Sequence, residues 1–338
     1  MTRTLRIEGT GFTLDDEPFD MWGIRLANAL ENDRISASLI DVLDDYVEYG
    51  VNTFSVFLQG GSTGAANPFD ADGTFTSHTR RKECSGFFKG RADVEGLCER
   101  NQVMDRLARV IEEADGRAMV VNLGVFYQAR INQLTNDAAI MEATRNVARW
   151  LATKDYRNIC VDLVNEYGHP GFEERSLCYG RAERHATDAG DELLEAFKAI
   201  VPHIPASISP CGNVVLDFDA ADFVLTHSPF PPDEVREQVG RDVPVVMNEW
   251  GHGEIFGGPD EPVGVYTPED VEKWRRTVET VREGGGYAFY HSHWKQHLRE
   301  DGGPHFEIGP SGAQPQEPRG GEPSEHWYFD MVRSMRGL

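Results

Sequence analysis

Lysine is scarce in this chain. Of 33 basic residues, only those at positions 82, 89, 154, 198, 273 and 295 are lysine; the rest are arginine, and 56 Asp and Glu bring the formal net charge to -23. A surface this short of cations repels phosphate backbones and anionic membranes, because binding to either depends on Lys and Arg displacing counterions. Neither nucleic acid nor a membrane is expected as a partner. Acidic residues spread over the whole chain, with arginine preferred to lysine, resemble the surfaces of proteins from salt-rich cytoplasm. The alternative is an acidic mesophilic protein, and stability measured in molar salt separates the two.

Long apolar runs are missing as well. No stretch reaches the roughly 18 apolar residues of a membrane helix, and residues 1–8 carry charge where a secretory signal needs an apolar run. A soluble, cytoplasmic protein is the expectation. The five cysteines (Cys84, Cys98, Cys160, Cys178 and Cys211) are odd in number and widely scattered. They lack the paired spacing of a zinc site or a disulfide framework, and read as free thiols. Nor does a Gly-rich phosphate loop follow the first strand, which argues against a doubly wound nucleotide-binding sheet.

What is present is an alternation. Short apolar runs at 19–26, 51–58, 118–125, 159–165, 204–209, 223–227, 243–248 and 287–292 are separated by amphipathic stretches such as 36–49, 102–114, 137–153, 188–201 and 268–283. Eight strands in βα units make a parallel sheet, and 338 residues accommodate one (β/α)8 barrel of about 250 residues with extended loops. A single domain over residues 1–338 is expected, opened by a small β-hairpin from period-2 alternation in residues 5–19. Thr267 and Pro268 suit the cap and first turn of the last long helix. Two long segments, 60–99 and 295–323, follow strands two and eight, so they fall on the barrel face where binding clefts are built.

Two strands end in the same way. The fourth closes on Asn165-Glu166-Tyr167-Gly168 and the seventh on Asn248-Glu249-Trp250-Gly251. Each puts a carboxylate on the barrel mouth, on facing sides of one pocket. Glycoside hydrolysis needs such a pair, one acid to protonate the leaving oxygen and one carboxylate across the anomeric carbon.

With these motifs the chain resembles the clan A retaining (β/α)8 glycoside hydrolases, near the family 5 cellulase and mannanase-like group, whose members carry Asn-Glu after strand four and Glu after strand seven. The segment 12–25 resembles the clan's approach to strand one, and Trp294 stands after strand eight where relatives stack a sugar ring. The resemblance implies Glu166 as acid/base, Glu249 as nucleophile, Asn165 as a hydrogen-bonding partner of the sugar 2-hydroxyl, and no cofactor. It implies an oligosaccharide or glycoside substrate, β-linked to glucose, mannose or a related sugar. The clan often carries an arginine on strand two, where this chain reads Asn52-Thr-Phe-Ser-Val-Phe; Arg25, ending strand one, is either its substitute beside Glu249 or a structural ion pair.

Further candidates lie at other strand ends. His227 follows strand six, where relatives place a histidine or tyrosine near the nucleophile. Tyr127 and Gln128 follow strand three, and either faces the sugar or packs on its neighbours. Trp22, Trp250 and Trp294 suit a sugar cleft because aromatic faces stack on pyranose rings, whereas Trp150, Trp274 and Trp327 read as core. His291 and His293 share one face of strand eight, and with His227 and His252 they keep open a metal-dependent hydrolase. A carbohydrate-binding barrel that has lost catalysis is the other alternative.

Overall fold

In the computed structural model, residues 2–61, 64–76, 102–128, 130–250, 268–291, 293–296, 303–309 and 325–338 are described. The expected cap Thr267, the cysteines Cys84 and Cys98, His252, and most of the segments 60–99 and 295–323 lie outside them. A three-stranded antiparallel sheet comes first: β1 (Leu5–Glu8), β2 (Gly11–Leu14) and β3 (Glu17–Phe19). Positive φ at Asp15 (55°) and Asp16 (68°) turns β2 into β3, a conformation that Asp tolerates through its short side chain. The expected hairpin therefore has a third strand, and Phe19 belongs to it rather than to the barrel.

Eight parallel strands follow, joined in the order β8-β7-β6-β5-β4-β11-β10-β9. They are β4 (Gly23–Arg25), β5 (Thr53–Phe57), β6 (Val120–Phe126), β7 (Ile159–Val164), β8 (Ala206–Ser207), β9 (Val224–Thr226), β10 (Val245–Trp250) and β11 (Tyr287–His291). Because β4 pairs with β11, spatial order follows chain order around the ring. The remaining seam closes where Asp222 N–H donates to Ala206 O at 2.9 Å and Ser207 Oγ donates to Phe223 O at 2.6 Å. This is a (β/α)8 barrel.

The helices are α1 (Asp33–Asp41), α2 (Leu43–Glu48), α3 (Val103–Gly116), α4 (Asp137–Lys154), α5 (Ser176–Tyr179), α6 (Asp188–Lys198), α7 (Pro232–Val239), α8 (Pro268–Glu283), α9 (His293–Gln296) and α10 (His326–Arg336). Asn32 and Asn136 cap α1 and α4, their side chains accepting the N–H of Ile35 and Ala139. Inward apolar residues of α3, α4 and α6, among them Leu107, Ile111, Ile140, Val147, Leu193 and Phe197, pack on the strands in one core. A second cluster closes the barrel floor: Leu5, Phe12, Leu14 and Phe19 meet Val246, Phe223 and Phe289. The antiparallel sheet is thus a plug under the N-terminal end, and the opposite end is left for chemistry.

Trp22 stands at that lower end, ahead of β4. Its Nε1–H donates to Asp20 Oδ2 at 2.8 Å and Arg282 stacks over its ring at 4.5 Å, so it is a structural residue and takes no part in the mouth of the barrel. Trp274 and Trp327 pack on Tyr290, and Trp150 on Tyr156.

Candidate active site

Arg25 is the hub of the barrel mouth. It is fully buried at the C-terminal end of β4, and its guanidinium lies 4.4 Å over the Phe57 ring. Gly124 makes room for that ring, since a Cβ there would come within 2.0 Å of it. Held this way, Arg25 Nη2 sits 3.0 Å from Glu249 Oε2 and donates to Asn165 Oδ1 at 3.0 Å, while Nε donates to Gln296 Oε1 at 2.9 Å. One planar cation thereby joins the ends of β4, β7 and β10 to α9. Removing one partner of such a buried pair leaves the other charge uncompensated, at a cost of about 3 to 5 kcal/mol.

Glu249 reaches Arg25 because β10 is irregular. Its register with β11 slips between Met247 and Trp250, adding one residue on the β10 side. A bulge interrupts the strict alternation of strand side chains, so the consecutive residues Asn248 and Glu249 both turn inward. Asn248 Nδ2 donates to Asp162 Oδ2 at 3.2 Å. Glu249 has two imidazoles beside it besides Arg25: His227 Nε2 at 3.5 Å and His291 Nδ1 at 3.4 Å. A cation and two ring nitrogens favour an ionised carboxylate there.

Glu166 sits differently. Its backbone takes a left-handed conformation (φ 59°), unusual for a residue with a side chain and costing on the order of 1 kcal/mol. That turn lets Glu166 follow the inward-facing Asn165 into the same mouth. Gln128 Nε2 donates to Glu166 Oε2, and Asn165 Nδ2 donates to Gln128 Oε1 at 3.4 Å. Among the described residues no basic side chain pairs with Glu166. Burial pushes its carboxyl well above the usual carboxylate range, the negative charge of Glu249 pushes it further, and Arg25 opposes both. The two glutamates are therefore close enough to feel each other, in opposite surroundings.

Of the residues singled out from sequence, Arg25, Asn165, Glu166, His227, Glu249 and His291 converge on this mouth. Tyr127 is buried and packs edge-on against Phe57 at 6.3 Å, so within its loop Gln128 is the one that reaches Glu166. The side chains of Trp250, His293 and Trp294 lie outside the described residues. No group of three or more His, Cys, Asp and Glu forms a metal cluster among the described residues. Cys160, Cys178 and Cys211 are free thiols.

Sequence reading passed over several site residues. Asp162, in the middle of β7, accepts Ser209 N–H at 3.0 Å and Ser209 Oγ–H at 2.7 Å. Burial pushes its carboxyl up to about 7, and the Ser209 hydrogen bonds oppose the shift. A charged residue inside an otherwise apolar strand was the signal for it. Cys211 lies near both glutamates: burial first, then Glu166, raise its thiol, Arg184 lowers it, and Glu249 raises it again. Glu31 accepts the N–H groups of Ala65 and Ala66 at 2.9 Å, and Asn28 accepts Gly61 N–H at 2.6 Å. These bonds tie the start of the loop after β5 to the mouth.

No family model matches the chain and no curated protein matches it. Solved structures do. A Bacteroides vulgatus protein superposes with TM-score 0.66 at 13% identity, over 99% of this chain and 61% of that one. A glycoside hydrolase family 5 protein from the same organism gives TM-score 0.58 at 16% identity, over 93% and 66%. A glycoside hydrolase family 5 mannosidase from Rhizomucor miehei gives 0.57 at 13% identity, over 99% and 98%. The chain spans less than two thirds of the first two proteins' length. At these identities the likeness is one of fold: this chain has the (β/α)8 barrel found in glycoside hydrolases.

Proposed function

We propose that this protein is a retaining glycoside hydrolase acting on β-linked sugars, with mannosides the first class to test, given the mannosidase among the proteins of similar fold. One observation carries the reading: two glutamates share the barrel mouth, Glu249 buried beside a cation and Glu166 partly buried with its carboxyl raised by loss of solvent and by its partner. That asymmetry divides the labour of double displacement.

In the first step Glu249 attacks the anomeric carbon while Glu166 gives its proton to the departing glycosidic oxygen. The resulting ester removes the Glu249 charge, one of the causes that raise the Glu166 carboxyl, so Glu166 becomes a better base just when one is needed. It then takes a proton from the water that cleaves the ester, and both carboxyls return to their starting states. Asn165, oriented by Arg25, is placed to hydrogen-bond the 2-hydroxyl as the oxocarbenium-like charge develops. His227 and His291 border the nucleophile and help to hold it.

The test is turnover of phenyl and 2,4-dinitrophenyl β-mannosides and β-glucosides and of the corresponding oligosaccharides. Release of phenol or reducing sugar by wild type, abolished in folded Glu249→Ala protein, supports hydrolysis. Binding of these sugars without turnover by wild type would instead support a barrel that recognises carbohydrate and no longer cleaves it.

A further inference from the structure

The left-handed turn at Glu166 is clamped from one side by a single residue. Ser209 Oγ lies 3.3 Å from Glu166 N, and Ser209 O accepts Tyr167 N–H at 2.8 Å. Both atoms of the clamp act on the peptide units that set where the Glu166 carboxyl points. Ser209 is in turn fixed by Asp162, which takes its N–H at 3.0 Å and its hydroxyl proton at 2.7 Å. With its proton committed to Asp162, the hydroxyl turns a lone pair toward Glu166 N–H.

The other Asp162 contact runs to the opposite side of the mouth. Asn248 Nδ2 donates to Asp162 Oδ2 at 3.2 Å, and Asn248 Oδ1 is buried without a hydrogen-bond partner among the described residues. Asp162 therefore anchors the side chain at the bulge that turns Glu249 inward. It is completely buried, and no sugar is needed to explain its contacts.

We infer that Asp162 is a positioning residue that holds Glu166, through Ser209, and Glu249, through Asn248, at their working separation. The inference rests on the glycosidase reading above. Its two arms act on different steps: the Ser209 arm governs proton delivery by Glu166, and the Asn248 arm governs attack by Glu249.

Leaving-group chemistry separates these arms from a merely structural role. A phenolate needs a proton to depart, whereas 2,4-dinitrophenolate leaves without one. Ser209→Ala is expected to lower kcat/KM for the phenyl glycoside by about 10- to 100-fold, the scale of a small misplacement of a reacting group, and for the dinitrophenyl glycoside by less than about 3-fold. Asp162→Asn, which sets an amide N–H against donors of Ser209 and Asn248, is expected to lower both by about 10- to 100-fold. Circular dichroism and urea unfolding check each variant's fold, and Ser209→Ala decides the matter if Asp162→Asn does not fold. Equal losses on the two substrates for Ser209→Ala, or wild-type rates for folded Asp162→Asn, overturn the inference while leaving the glycosidase reading intact. A wild type that turns over neither glycoside series sinks both.

Discussion

Glu249 and Glu166 are the same amino acid, each following an asparagine at the end of a barrel strand, yet the barrel gives them opposite electrostatic settings. Around Glu249 stand Arg25, His227 and His291. Around Glu166 stand an amide, partly desolvated surroundings and the negative charge of Glu249 itself. The first setting favours an anion and the second a neutral acid. The two Asn-Glu motifs are alike in sequence; the cation on β4 makes their surroundings differ, and it comes from a strand far from either glutamate in sequence.

The comparison breaks hardest at Glu166. Glu166→Ala is expected to lower kcat/KM for the phenyl glycoside by about 10²- to 10⁴-fold, the range of general acid catalysis, and to spare the dinitrophenyl glycoside by comparison. Equal losses on both substrates would mean that Glu166 does not deliver the proton.

Arg25→Met tests the hub. Loss of the charge-assisted contacts to Glu249 and Asn165 is expected to lower kcat by about 10²- to 10³-fold. The sign of the pH effect is also set. Arg25 holds the Glu166 carboxyl down, so without it that carboxyl rises further and the alkaline limb of kcat/KM moves to higher pH. A limb that stays in place or moves to lower pH contradicts the arrangement.

A buried acid outside the pair gives a smaller effect, read in stability. Burial pushes the Glu31 carboxyl from 4.5 up to about 7. Since its folded value lies above the unfolded one, the stabilising contribution is complete below pH 4.5 and disappears as pH rises through about 7. Glu31→Gln cannot ionise and keeps one acceptor for the loop amides. Its stability relative to wild type should therefore improve by up to about 3 kcal/mol between pH 4.5 and pH 8 in urea melts. A difference independent of pH would place Glu31 in wetter surroundings than its contacts indicate.

The smallest effect concerns the whole surface. With a net charge of -23, self-repulsion is screened by salt, and Tm is expected to rise by a few degrees between low salt and about 1 M NaCl. A flat profile favours the mesophilic alternative over adaptation to salt.

Much of this was legible in the chain. Strands β5, β7 and β11 fall within the apolar runs that announce them, and β6 overruns its own by one residue, because a barrel strand buried on both faces must be apolar along its length. The glutamates were visible because they break those runs at their ends. What sequence hid was mostly register and direction. Trp22 and Arg25 occupy one apparent strand, but residues 20–22 separate β3 from β4, so Trp22 serves the floor and Arg25 the mouth. The fifth barrel strand shrinks to Ala206–Ser207 between Pro205 and Pro210, which supply no N–H to a ladder. Asp162 went unread because its partners, Ser209 and Asn248, are brought to it only by barrel closure, 47 and 86 residues along the chain. The bulge at Asn248 and Glu249 likewise leaves no mark in a single strand, since it is a relation between β10 and β11.

The measurement that bears most directly on the central claim is mass spectrometry of peptides from protein inactivated with a 2-deoxy-2-fluoro β-mannosyl or β-glucosyl fluoride. The fluorine slows hydrolysis of the glycosyl-enzyme ester and traps it. The expected result is one fluoroglycosyl group per chain, carried on Glu249 and absent from Glu249→Ala protein. A label on another residue, or active enzyme that releases product of inverted configuration and never becomes labelled, would contradict the double-displacement account.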